Sequence, residues 1–204
     1  PAIAHQVGIE IESSLFDEIH RKIPYILNIR PSGFYPGNYF WYAGGVPAIM
    51  EEIKEFLYLD AITVTGKTLG ENLEELKVNG YYDRCNQYLK TVGVNKEDII
   101  KTKENPIKKE GAIAILKGNL APEGAVVKHS AVSEKLMQVT LRARTFNCEE
   151  DALKAVINRE VESGDAVFIR YEGPKGSGMP EMFYTTEAIA SDSILVESIA
   201  LITD

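Results

Sequence analysis

A change of hydrophobic pattern near the middle of the chain limits the fold more than any other feature. Up to about Leu89 the apolar residues recur mostly at helical spacing. In "VPAIMEEIKEFL", Val46, Ile49, Met50, Ile53 and Leu57 fall on one helix face, and Pro47 is tolerated in the first turn. "AIAHQVGIEI" reads as part of an amphipathic helix, and "FDEIHRKI" as a helix capped by Ser13 or Ser14. "LDAITVTG" reads as a short strand, and "LGENLEELKVNG" as a helix closed by Gly80. Such a rhythm belongs to an α/β layer. Beyond the polar stretch "KTKENPIKKEG" the apolar residues gather instead in short runs between glycine and proline turns. These runs are "AIAIL", "AVVK", "QVTLRARTF", "AVFIRYE" and "SIALIT". One helix, "EEDALKAVINREVESG", interrupts them, with Asn147 as its N-cap and Gly164 as its close. The expected fold is therefore α/β over residues 1–107, followed by a mostly β barrel or sandwich over residues 108–204.

Charge and composition narrow the partners. A formal charge of −8 argues against nucleic acid, whose binding rests on clustered Lys and Arg. No apolar run approaches a membrane-spanning length, so no membrane partner is expected. Apolar content of 45% and charged content of 25% suit an ordinary globular chain. The two cysteines, Cys85 and Cys148, form no C-x-x-C, which suits a reducing, cytoplasmic setting rather than a disulfide or zinc framework. Cys85, in a tyrosine-rich helix, is expected to be packed rather than nucleophilic.

Several motifs compete for a functional role. "AITVTGKT", Ala61–Thr68, is a near miss to a phosphate-binding loop, with alanine where the first glycine must stand. The bland reading is a turn carrying Lys67 and Thr68. His5, His20 and His129 have no metal-ligand spacing and read as solvated or core histidines. "RYEGPKGSGMPEM", Arg170–Met182, is more constrained than a plain turn needs. As a phosphate cradle it fails, because no clear helix start follows the glycines. Glu181 at its end is either a solvated carboxylate, the default, or one ligand of a hard cation such as magnesium.

Longer blocks favour the second reading. "GPKGSGMPEM" resembles a signature of the dihydroxy-acid and phosphogluconate dehydratase family. "RPSGFYPGNYFWYAGGVPAIM", "DAITVTGKTLGENL", "NPIKKEGAIAILKGNLAPEGAVVKHSAV" and "SIALITD" resemble further blocks of that family, in order and over nearly the whole chain. The resemblance implies a hydro-lyase that removes water from a 2,3-dihydroxy acid, as in branched-chain amino-acid biosynthesis, or from a sugar acid, yielding a 2-keto acid. It implies Mg2+ and an iron–sulfur cluster as cofactors, a small-molecule hydroxy acid as substrate and a homo-oligomer such as a homodimer. Glu181 matches the magnesium-ligating glutamate, and the C-terminal part resembles the swivelling domain of aconitase-like enzymes.

The same resemblance implies what this chain does not carry. The cluster cysteines are expected upstream of Pro1, matching neither Cys85 nor Cys148, and the catalytic serine just beyond Asp204. No catalytic or cluster-binding residue is therefore assigned within the chain. It is expected to be an internal and C-terminal portion of such an enzyme, inactive alone. The barrel-like part is expected to fold by itself, and residues 1–105 to be less secure and to self-associate through exposed apolar surface. Two other readings are a hydroxy-acid binding module without turnover and one subunit of a split dehydratase.

Overall fold

The computed structural model describes residues 1–204, which divide into two compact units, residues 1–131 and 132–204. In the first unit the helices are short: α1 (Ala2–Gln6), α2 (Ser13–Lys22), α3 (Gly37–Tyr42), α4 (Gly45–Glu52), α5 (Leu69–Val78), α6 (Tyr81–Thr91) and α7 (Lys96–Ile99). Ala48 from α4, Leu89 from α6, Ile99 from α7, and Ile26, Ala43 and Ile100 form a buried core edged by Tyr35, Tyr39 and Tyr82. Each large aliphatic side chain buried there contributes about 1.5–3 kcal/mol.

Several expected elements are altered. "AIAHQVGIEI" keeps its helix only to Gln6, because no residue of α1 is buried to hold it. The N-cap of α2 is Glu12 rather than Ser13 or Ser14, with no side-chain cap. Val46 is 54% exposed, and Ala48 takes the inward place on α4. "LDAITVTG" is a turn rather than a strand, closed by a single bridge from Ile62 to Thr68 and leaving Val64 fully exposed. The helix of "LGENLEELKVNG" stands as α5, ending just before Gly80.

The polar stretch 101–111 does not interrupt packing. Tyr25 N–H donates to the Lys108 carbonyl at 3.0 Å, Ile107 N–H to that of Tyr25 at 2.9 Å, and Lys101 N–H to that of Ile26 at 2.8 Å. A two-stranded antiparallel hairpin follows, β1 (Ala114–Leu116) with β2 (Ala125–Val127), and β1 packs on α2. The change of composition at 107/108 and the division of packing at 131/132 thus lie at different places.

The second unit is a three-stranded parallel sheet in the order β3–β4–β5, formed by β3 (Arg142–Phe146), β4 (Asp165–Ile169) and β5 (Ala200–Thr203). Parallel neighbours require crossovers, and helices supply them. Helix α8 (Glu149–Ile157) joins β3 to β4, and α9 (Phe183–Ala190) lies between β4 and β5. The central strand is nearly all buried, which explains its unbroken apolar run. Ala152, Ala155 and Val156 from α8 and Ile189 from α9 pack with Val167 and Ile169. Neither sheet of the molecule closes on itself.

Helix α8 is shorter than its sequence pattern. It stops at Ile157, where Asn158 forms the C-cap and Arg159 takes φ 59°. Cys148 rather than Asn147 holds the N-cap position. The Asn147 amide oxygen instead accepts a hydrogen bond from Arg170 Nε at 2.7 Å.

Candidate functional site

The C-terminal ends of parallel strands are where open α/β sheets place their ligands. Here all three strand ends converge on the loop 170–182. β4 leads into the loop, β5 delivers Asp204, and Asn147 just after β3 holds Arg170. The Asp204 carboxylate accepts the N–H groups of Tyr171 at 2.9 Å and Glu172 at 3.0 Å. The Tyr171 amide leads the contacts that hold the Asp204 carboxyl below the usual carboxylate range. Glu172 is engaged at both oxygens: Oε1 accepts from Glu149 N–H at 3.2 Å, and Oε2 from the Ser177 hydroxyl. Glu149 in turn accepts from Thr185 N–H at 3.1 Å, linking the starts of α8 and α9.

The glycines are required by the backbone path. The Gly173 carbonyl accepts from the N–H groups of Gly176, Ser177 and Met179. A Cβ on Gly176 would lie 2.1 Å from the Tyr171 carbonyl oxygen, so no side chain fits there without backbone movement. Gly178 takes φ +86°, a conformation that costs glycine little.

Contrary to expectation, a helix does follow the glycines: α9 begins at Phe183, with Met182 at its N-cap. "FYTTEAIA" hides it, since aromatic and β-branched residues favour strands. Met182 is buried in the core, and Glu181 beside it is exposed, its carbonyl accepting Phe183 N–H at 2.8 Å. One anchored and one solvent-facing neighbour set the outward position of Glu181. It offers an exposed carboxylate suited to a hard cation, but belongs to no group of three ligand side chains within this chain.

The other expected candidates are placed as follows. Lys67 is paired with Glu75 at 2.5 Å, and Thr68 caps α5 in a box with Glu71, so neither is poised for phosphate. Cys85 is buried in α6, and Cys148 precedes α8; neither joins a set of ligand atoms. These cysteines do not fit an iron–sulfur cluster, which needs several thiolates together. His20 and His129, expected to stand apart, are neighbours. Their rings meet edge to face at 5.2 Å, and Glu110 lies beside them. His5 is exposed on α1.

Comparison with known proteins decides the family. A model described as dihydroxy-acid/6-phosphogluconate dehydratase C-terminal matches residues 98–204. The corresponding N-terminal model matches residues 1–72. The chain belongs to the dihydroxy-acid/6-phosphogluconate dehydratase family. Among its relatives, dihydroxy-acid dehydratase 1 of Methanosarcina acetivorans is 46% identical over the whole of this chain, which covers 35% of that protein. The dihydroxy-acid dehydratase of Methanococcoides burtonii is 45% identical, with the same coverage of each. That of Acetivibrio thermocellus is 44% identical over all of this chain and 34% of its own length. The chain thus spans about a third of the dehydratases it matches. In this dehydratase-family segment the glycine loop carrying Glu181 lies in the stretch matched by the C-terminal model. No helix is long and apolar enough to cross a membrane.

Proposed function

We propose that this chain is a segment of a hydro-lyase that converts a 2,3-dihydroxy acid, or a related sugar acid, to a 2-keto acid. The observation that carries this reading is the placement of Glu181 on a rigid loop at the C-terminal edge of a parallel sheet, in a dehydratase-family chain. In the net reaction the C2 proton and the C3 hydroxyl leave as water, and the resulting enol takes up a proton at C3 as its C2 hydroxyl gives one up, leaving the 2-keto group. Glu181 supplies one carboxylate to magnesium, which when bound would neutralise the substrate's acidic end. Asp204, Glu172 and Glu149 position the loop rather than touch the substrate.

Within the same proposal, the iron–sulfur cluster and the base that removes the C2 proton come from parts of the enzyme other than residues 1–204, and the isolated chain does not turn over substrate. The barrel-like, aconitase-type character of the C-terminal part, a cytoplasmic setting and a homo-oligomeric state belong to it too. Exposed Ile3, Val7 and Ile9 along the first residues support self-association.

In the full-length enzyme carrying this segment, Glu181→Gln is expected to raise the magnesium concentration needed for half-maximal 2-keto acid formation. Glu181→Asp should retain part of the response. An unchanged magnesium requirement in Glu181→Gln removes this residue from the metal site. Formation of 2-keto acid by the 204-residue chain alone overturns the assignment of the remaining machinery to other segments.

A further inference from the structure

The first unit holds a group of side chains that the dehydratase reading does not use. His20 lies near the end of α2, Glu110 at the end of the polar stretch before β1, and His129 in a short 3-10 turn, His129–Ala131, after β2. One donor atom from each lies within 4.8 Å of the others. The His20 side chain is 4% exposed and that of Glu110 is 46% exposed, so the group is closed on one side and open on the other.

Three observations separate this group from packed histidines. First, His20 Nε2 faces Glu110 Oε2 at 3.7 Å, too far for a hydrogen bond and close to the spacing of two atoms bound to one ion. In tetrahedral zinc sites, bonds of about 2.0–2.1 Å place neighbouring donors roughly 3.3–3.4 Å apart. Second, Nδ1 of His129 is buried without a hydrogen-bond partner, which leaves it free to serve as a donor atom. Buried histidines filling a purely structural role normally satisfy such an atom. Third, the backbone fixes the three residues to one another. Gly111 N–H donates to the His20 carbonyl at 2.7 Å, Ser130 N–H to that of Ala112 at 3.2 Å, and Tyr25 N–H to that of Glu110 at 3.1 Å. Arg21 approaches only the other Glu110 oxygen, Oε1, at 4.0 Å, leaving Oε2 turned toward His20.

We propose that His20, Glu110 and His129 bind one borderline transition-metal cation, Zn2+ in the first instance, with a fourth position open to solvent on the Glu110 side. Two imidazoles and a carboxylate are a donor set that zinc accepts, whereas magnesium prefers oxygen alone. Closing the donors around the ion needs movement of roughly one ångström, within reach of a half-exposed glutamate side chain. The site ties α2, the polar stretch and the turn after β2 together, and is separate from the proposed function of Glu181.

Zinc titration of the 204-residue chain by calorimetry, checked by metal analysis after dialysis, tests this. One equivalent of Zn2+ is expected per chain, with a rise in Tm. His129→Gln and Glu110→Gln should each weaken binding by about tenfold or more, the scale on which disturbing a metal's surroundings is felt. His5→Gln, at an exposed histidine, should leave it unchanged. Co2+ should give the visible absorption of a four-coordinate ion, lost in His129→Gln. Far-UV circular dichroism confirms that each variant is folded. If His129→Gln misfolds, Glu110→Gln, altered at a partly exposed position, decides alone. Absence of stoichiometric zinc overturns the proposal, as does binding that survives in folded Glu110→Gln or is lost only when Cys148 is replaced by Ser.

Discussion

The two units reach order by different routes. Residues 132–204 are built on a regular sheet whose central strand is buried from Asp165 to Val167 and again at Ile169. Residues 1–131 have no comparable sheet. Short helices are joined through isolated bridges, such as Tyr25 with Lys108 and Leu27 with Ile100, and through clustered tyrosines. In the first design one strand carries much of the core. In the second, many partial contacts share it, so single changes should be felt less.

Core truncation should test that contrast most sharply. Ile169→Ala, at a side chain only 1% exposed, is expected to destabilise the second unit by about 2–5 kcal/mol. Hydrogen exchange should then accelerate across β3, β4 and β5 and leave α6 unchanged. Equal acceleration in both units would mean that they unfold as one, and the comparison would fail.

Next in size is Gly176→Ala. The added Cβ must displace the Tyr171 carbonyl, at a cost of about 1–3 kcal/mol. Exchange should rise at Gly173–Met182 with the strands still protected, which distinguishes loop damage from sheet damage.

Asp165→Asn should follow, at about 1–2 kcal/mol, as read from a chemical denaturation curve. Asp165 is fully buried, hydrogen bonded to Arg142 Nε at 2.7 Å and to Glu162 N–H at 2.9 Å. The Arg142 hydrogen bond leads in holding its carboxyl below the usual range, and Asp204 is lowered by the Tyr171 amide. Both carboxylates bind fewer protons folded than unfolded near pH 4. Their contribution is therefore complete above the ordinary aspartate range and is lost as pH falls through the lower folded values. Denaturation midpoints of the second unit should fall on acidification, and Asp165→Asn should flatten that slope.

The smallest effects sharpen the first unit. Thr68→Ala removes the capping box of α5, at about 1 kcal/mol. Val64→Ala, at a fully exposed side chain, should leave Tm unchanged and serves as the reference.

The sequence was most legible where burial is continuous. β4 was the plainest case, because a strand covered on both faces needs apolar side chains almost throughout, whereas β3 and β5 lie in β-prone runs but are only partly covered. "LDAITVTG" misled by the same logic: its β-branched residues imitate a strand, yet no neighbour pairs with them beyond the Ile62–Thr68 bridge. Helix α9 was hidden in the opposite way, since buried Thr185 and Ile189 stabilise it by packing that propensity does not reveal. Glu181 stood out because the glycines around it are unusual in any turn, whereas nothing local marks Asp204 as the residue that grips them. His20 and His129 are far apart along the chain, and only the return of the β1–β2 hairpin to α2 brings them together.

Asp204 also acts as a mechanical coupling. Its main chain continues the line of β5, while its side chain holds the first two amides of the glycine loop. A displacement of the backbone just past Thr203 would therefore reach the start of the loop twice, through the pairing of Ile169 with Thr203 and through the Asp204 carboxylate on Tyr171 and Glu172.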